Sequence, residues 1–159
     1  HLYARKKIPV HECLNSLNVT PVSISYEKDP NDIRKANELY ITDLNQSYKK
    51  EPKEDLMSIA EGVRGQKGNV HLHIGSVIDF KTDSHDDCAD QITSEIKRSY
   101  KLHATNYAAA LLQGKKVNID NFNEKEIDDA IQYLNERMAL ISDEMQPYFL
   151  NQYSNPTNI

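Results

Sequence analysis

The chain has 159 residues, enough for one domain or for part of a domain with an extension. Hydrophobic residues make up 38%, low for a self-contained globular domain, and charged residues make up an ordinary 27%. The formal net charge of -5 argues against a nucleic-acid binder, because phosphate contacts need a basic face, but it leaves room for a local basic pocket.

The chain opens at His1 rather than Met, so its start is expected to be processed or missing. HLYARKKIPV is basic but has no apolar core region, and it does not read as a signal peptide. No apolar run approaches the ~20 residues that cross a bilayer, so any membrane contact would be peripheral. Cys13 and Cys88 lack metal-knuckle or redox spacing and read as reduced thiols in a cytosolic setting.

Residues 8–17 predict a short helix with Pro9 in its first turn. Residues 19–26 follow as a strand. Val19, Val22, Ile24 and Tyr26 favour extended backbone, and the segment is apolar enough for a buried sheet, with Pro21 at its start, at a bulge or on an edge. A helix is expected over 30–45, capped by Asp29, with Pro30 at its first position and Asp32 at the positive end of its dipole. Ile33, Ala36, Tyr40 and Leu44 form its apolar stripe.

After a polar linker, residues 55–64 predict a helix with Leu56, Ile59, Ala60 and Val63 on one face and Gly65 ending it. The loop that follows holds Gly62, Gly65 and Gly68 beside Arg64 and Lys67. A second strand alternates at Val70, Leu72 and Ile74 until Gly75 breaks or bulges it.

Beyond Phe80 the pattern turns helical. Helix 86–101 carries Ala89, Ile92, Ile96 and Tyr100, and ATNYAAALLQ ends at Gly114. Asn123 and Glu126 open a further helix, to residue 141, in capping-box spacing. Ile127, Ile131, Leu134, Met138 and Ile141 form its apolar face, and a short helix occupies the tail. The chain therefore divides near residue 82, into an α/β part (1–82) and a helical extension (83–159). Two strands alone make no stable, doubly covered sheet, so the first part reads as a fragment of a larger α/β sheet.

Several short motifs suggest chemistry, each beside a plainer reading. His71 and His73 point the same way on a strand and could supply two zinc ligands, but nothing nearby offers a third, and no metal is expected. His85 and Asp90 have the His-x-x-x-x-Asp spacing of an acyltransferase dyad, yet they sit in a polar stretch entering a helix, where an acidic N-terminal cluster is the simpler reading. No catalytic residue is assigned. The Gly62–Gly68 loop could cradle a phosphate with Arg64 and Lys67 as charge partners; the plainer reading is a helix end turning into a strand. Ser23 and Ser25 lack a nucleophile elbow.

The run LNVTPVSISYEKDPNDIRKANELY resembles a segment of a bacterial subgroup of the phospholipid/glycerol acyltransferases. The likeness continues in order through YKKEPKEDLMSIAEGVRGQKGNVHLHIG, IKRSYKLHATNYAAALL and QPYFLNQYSNP, and is weakest over about 113–142. Asn31 stands where the subgroup often has Cys.

The resemblance implies the C-terminal portion of an O-acyltransferase of three-layer α/β/α fold. Such an enzyme moves an acyl group from acyl-CoA or acyl-ACP to a glycerol-phosphate or lysophospholipid hydroxyl, in the cytoplasm or peripherally at the cytoplasmic face of the inner membrane, and needs no cofactor. The family's catalytic motif would lie upstream of Val19, outside this chain. Its proline-containing strand maps onto Val19, Pro21, Val22 and Ile24, which implies that Pro21, Val22 and Ile24 line a substrate pocket; Arg64 and Lys67 join them as candidate substrate contacts. The alternative is a non-enzymatic helical interaction module presenting the apolar face of the helix over 124–141.

Overall fold

The computed structural model describes residues 8–158; most of the basic N-terminal stretch lies outside them. Among the described residues the chain is mixed α/β, with seven α-helices, one closing 3-10 turn and a two-stranded antiparallel sheet. It divides into two compact units that follow contacts rather than chain order. The first joins residues up to Ser25 with His71–Lys101; the second joins Tyr26–Val70 with Leu102–Ile159. Residue 82, where the sequence changes character, lies inside the first unit.

The first unit contains α1 (Val10–Ser16), most of β1 (Val22–Tyr26), most of β2 (Val70–Ile74) and α4 (His85–Ser99). Its small core is Ile78, Phe80 and Cys88, with Val10, Leu14, Val19 and Ile92 packed around it. Asn15 ties α1 to the chain beyond β2: its amide donates to the Phe80 carbonyl at 3.0 Å, and the Phe80 N–H donates to its side-chain oxygen at 2.8 Å. Gly75 N–H donates to the Pro21 carbonyl, and Ile78 N–H to the Val19 carbonyl. The two bonds differ by one residue in register, so the pairing slips by a residue beyond the end of β2 at Ile74.

The sheet departs from the buried one expected. Val22 and Ile24 are 49% and 44% exposed, whereas Ser23 and Ser25 are 2% exposed. Alternation along a strand can cover only one set of side chains when one face alone is packed. Here the serine set is covered. Ser23 donates to the Ser99 carbonyl at 3.2 Å, and the Ser99 hydroxyl donates to Ser23 Oγ at 3.0 Å. Leu72 and Ile74, on the partner strand, are exposed as well.

The second unit contains α2 (Asp32–Asn45), α3 (Glu54–Arg64), α5 (Ala104–Leu112), α6 (Glu124–Met138) and α7 (Gln146–Ser154). The alanines of α5 let its neighbours approach closely, and Ala108 and Ala109 are fully buried among Leu134, Phe149 and Ala36. The predicted capping box opens α6: Asn123 Oδ1 accepts from Glu126 N–H, and Glu126 accepts from Asn123 N–H, both at 2.9 Å. Ile127, Leu134 and Met138 are buried in this core, so the face the sequence left open to a partner is covered within the unit.

Two helix readings change. α2 begins at Asp32, after a turn holding Pro30 in which Asp29 accepts from Asn31 N–H at 2.9 Å. Asp32 is fully buried instead of sitting in solvent at the helix start. On α3 no residue is buried, and Leu56, Ile59 and Val63 are exposed. Gly65 ends α3 in extended backbone rather than a left-handed turn. Its absent side chain makes space, because a Cβ there would run into Pro30.

Candidate functional site

The second unit holds a cleft of about 790 Å³. The turn before α2 supplies Lys28, Asp29 and Pro30, one side of α3 supplies Met57, Ala60, Glu61 and Arg64, and α6 supplies Tyr133 and Arg137. Beside it lies a buried polar network centred on Asp32. The Arg137 guanidinium forks onto this carboxylate, with Nε 3.2 Å from Oδ2 and Nη2 on Oδ1. Asp32 also accepts from Tyr153 Oη at 2.9 Å, Tyr133 Oη at 3.4 Å and Ile33 N–H at 2.7 Å. Tyr153 Oη in turn accepts from the Asp29 N–H at 3.0 Å.

Burial, and then the neighbouring Asp32 charge, push the Tyr153 phenol far above its usual range; burial likewise raises Tyr133. The hydrogen bond to Asp32 holds Arg137 above its usual value. Tyr153 is thus locked as a neutral donor. The network fixes the wall of the cleft.

The remaining charges of the cleft divide into paired and unpaired. Glu61 is held by Arg34, with Nε–Oε2 2.5 Å and Nη2–Oε1 2.8 Å, and this hydrogen bond keeps its carboxyl below the usual range. Asp29 is 2.5 Å from Lys35 Nζ. Lys28 Nζ stands 4.7 Å from the Tyr133 ring centroid, a cation–π distance, and forms no ion pair among the described residues; nor does Arg64.

Of the residues singled out from the sequence, Arg64 lines this cleft. Lys67 does not: its ammonium folds back to the Gly65 carbonyl at 3.2 Å and the Val63 carbonyl at 3.5 Å. Gly68 takes a positive φ of 61°, the left-handed turn that a glycine makes without strain. Pro21, Val22 and Ile24 belong to the first unit, where Pro21 is buried and the other two are exposed.

A second cleft, of about 730 Å³, lies in the first unit and is lined by His71, His73, Glu95 and Arg98 among others. The two histidines share a face as expected, but among the described residues no set of three His, Cys, Asp or Glu side chains could hold a metal ion. His85 and Asp90 are both exposed on α4. Five residues apart on a helix, they point about 140° away from each other, so they do not form a dyad.

Sequence reasoning missed Lys28, Tyr133 and Arg137. The spacing of Tyr133 and Arg137, one turn apart on a helix, was a usable signal that they share a face. Nothing local connects them to Asp32, more than a hundred residues earlier. No protein-family model, curated protein or solved structure matches this chain.

Proposed function

We propose that this chain is the C-terminal part of an O-acyltransferase of three-layer α/β/α fold. It transfers an acyl group from acyl-CoA or acyl-ACP to the hydroxyl of a glycerol-phosphate or lysophospholipid, peripherally at a membrane. The observation that supports this reading most is the bare sheet. Val22, Ile24, Leu72 and Ile74 expose one apolar face within the very stretch that resembles the family. Covering a Val, Leu or Ile side chain is worth ~1.5–3 kcal/mol, so four on one face describe a surface shaped for burial against further elements. The two strands also have no other strand neighbour among the described residues.

In this reading a histidine outside this chain takes the proton of the acceptor hydroxyl. The freed oxygen attacks the thioester carbonyl, and the thiolate leaves and collects the proton. This chain supplies sheet strands, a pocket wall at Pro21, Val22 and Ile24, and a basic contact at Arg64 to the acceptor phosphate.

The test measures acyl transfer from acyl-CoA and acyl-ACP to glycerol 3-phosphate and lysophosphatidate. It compares the 159-residue chain with the product of its gene including any residues encoded before His1. Transfer by the longer product alone is the expected result. Robust transfer by the 159-residue chain, abolished by His85→Ala, would place the catalytic group inside it and overturn the assignment. Absence of transfer from both products counts against the enzyme reading.

A further inference from the structure

We infer that His71 and His73 form a two-imidazole chelate for a late first-row transition-metal ion, copper(II) before the others, in the cleft of the first unit. The acyltransferase reading leaves this pair unused, and the pair's chemistry does not depend on it. Both residues lie on β2 and point to the same side, because side chains alternate along a strand. The rise of an extended chain puts their Cα atoms about 7 Å apart, a span that two imidazoles can close on one ion. Leu72, between them, belongs to the opposite, bare face.

His71 is half-buried and His73 exposed, and both line the cleft of about 730 Å³. Neither imidazole makes a hydrogen bond or an ion pair among the described residues, so each neutral ring keeps a lone pair for a metal. The charges around them do not oppose a cation. Arg98, the cation of the lining, stands 2.9 Å from Glu95, and Asp79 is 2.5 Å from Lys81. The donor set then selects the metal. No third side chain is in place among the described residues, so the closed four-ligand shell of a structural zinc site is not built. Copper(II) gains most from two imidazole nitrogens, which fill two corners of its square plane and leave the others to water. Magnesium and calcium prefer oxygen donors and are rejected.

The test is calorimetry of the 159-residue chain with copper(II), nickel(II), zinc and magnesium chlorides in a non-chelating buffer. His1→Gln is present in every protein compared, because a terminal histidine chelates copper through its own amino group and imidazole. One copper ion per chain is expected, bound more tightly than nickel or zinc, with no magnesium bound. His71→Gln and His73→Gln are each expected to weaken copper binding about a hundredfold, since a chelate is exchanged for a single ligand. His85→Gln, at an exposed histidine of α4, is expected to change it less than about twofold. Leu72→His combined with His73→Gln keeps two neighbouring histidines but turns their rings to opposite faces of the strand. This variant is expected to bind copper no more tightly than His73→Gln alone.

Electron paramagnetic resonance of the copper complex reads the donors directly. Hyperfine structure from two equatorial nitrogens is expected, and one or none overturns the pair even if a variant fails to fold. Copper affinity unchanged in both the His71 and His73 variants, restored by Leu72→His beside His73→Gln, or absent at millimolar concentration also overturns it. Zinc bound more tightly than copper overturns the choice of metal. Failure of acyl transfer leaves the site standing, since these measurements read metal binding alone.

Discussion

Arg137→Met tests whether the Asp32 network is held by its ion pair. Asp32 is fully buried, and the Arg137 side chain is only 29% exposed. The substitution keeps an apolar stem in place and removes the guanidinium, leaving the carboxylate with Ile33 N–H, the Tyr153 hydroxyl and, at a long 3.4 Å, the Tyr133 hydroxyl. Removing one partner of a buried pair costs ~3–5 kcal/mol, because the other charge stays in a low dielectric without compensation. Three surviving donors and the partial exposure of Arg137 place the expected loss near the lower end, at about 3 kcal/mol. Adding Asp32→Asn to Arg137→Met removes the stranded charge and is expected to recover about 1–2 kcal/mol, so the two changes are not additive. Urea unfolding of Arg137→Met, Asp32→Asn and the double variant at pH 7, followed by far-UV circular dichroism and by tyrosine fluorescence (the chain has nine Tyr and no Trp), gives all three differences from the parent. A loss below about 1 kcal/mol for Arg137→Met, or no recovery on adding Asp32→Asn, would refute the reasoning.

Glu61→Gln tests the pH behaviour of the Arg34 pair. The folded Glu61 carboxyl is held below its usual range by the Arg34 hydrogen bond, so its contribution is present above the ordinary carboxylate range and is lost as pH falls through the lower, folded value. Unfolding midpoints between pH 7 and pH 3 are expected to fall less steeply in the Gln variant than in the parent. Gly65→Ala places a Cβ against Pro30 Cβ and 2.8 Å from both Pro30 Cγ and the Glu61 carbonyl oxygen, and is expected to cost about 1–3 kcal/mol in urea unfolding. Leu72→Lys lies on the bare sheet face, where the side chain is 57% exposed, so stability of the isolated chain should change by less than about 0.5 kcal/mol. The same change, made in a longer gene product that transfers acyl groups, is expected to destabilise it, by several kcal/mol in thermal or urea unfolding, because there a charge would be buried unpaired.

The sequence by itself determined the local elements. Short-range signals such as the Asn123–Glu126 capping box, the alternation over Val70–Ile74 and the heptad-like spacing of Ile127, Leu134 and Met138 act over one or two turns, and each marks an element found in the fold. It also determined that His71 and His73 share a face, since alternation alone requires it. Tertiary structure decided which faces are covered. Val22 and Ile24 read as core residues because they are apolar, yet α4 covers the serine side through Ser99, and the period of two then exposes the rest. Leu56, Ile59 and Val63 make a correct amphipathic pattern on α3, but a pattern cannot state whether anything packs on it.

The same limit applied to the site. Asp32 looked like a dipole-compensating residue at a helix start, and only the return of α6 and α7 to α2 turned it into a buried carboxylate bound by Arg137 and Tyr153. Arg64 and Lys67 are nearly identical in sequence context. They differ because Lys67 reaches the carbonyls of its own loop, while Arg64 reaches the cleft. Pairings across a hundred residues depend on which surfaces meet, and that is settled by the burial of whole helices rather than by any short stretch of chain.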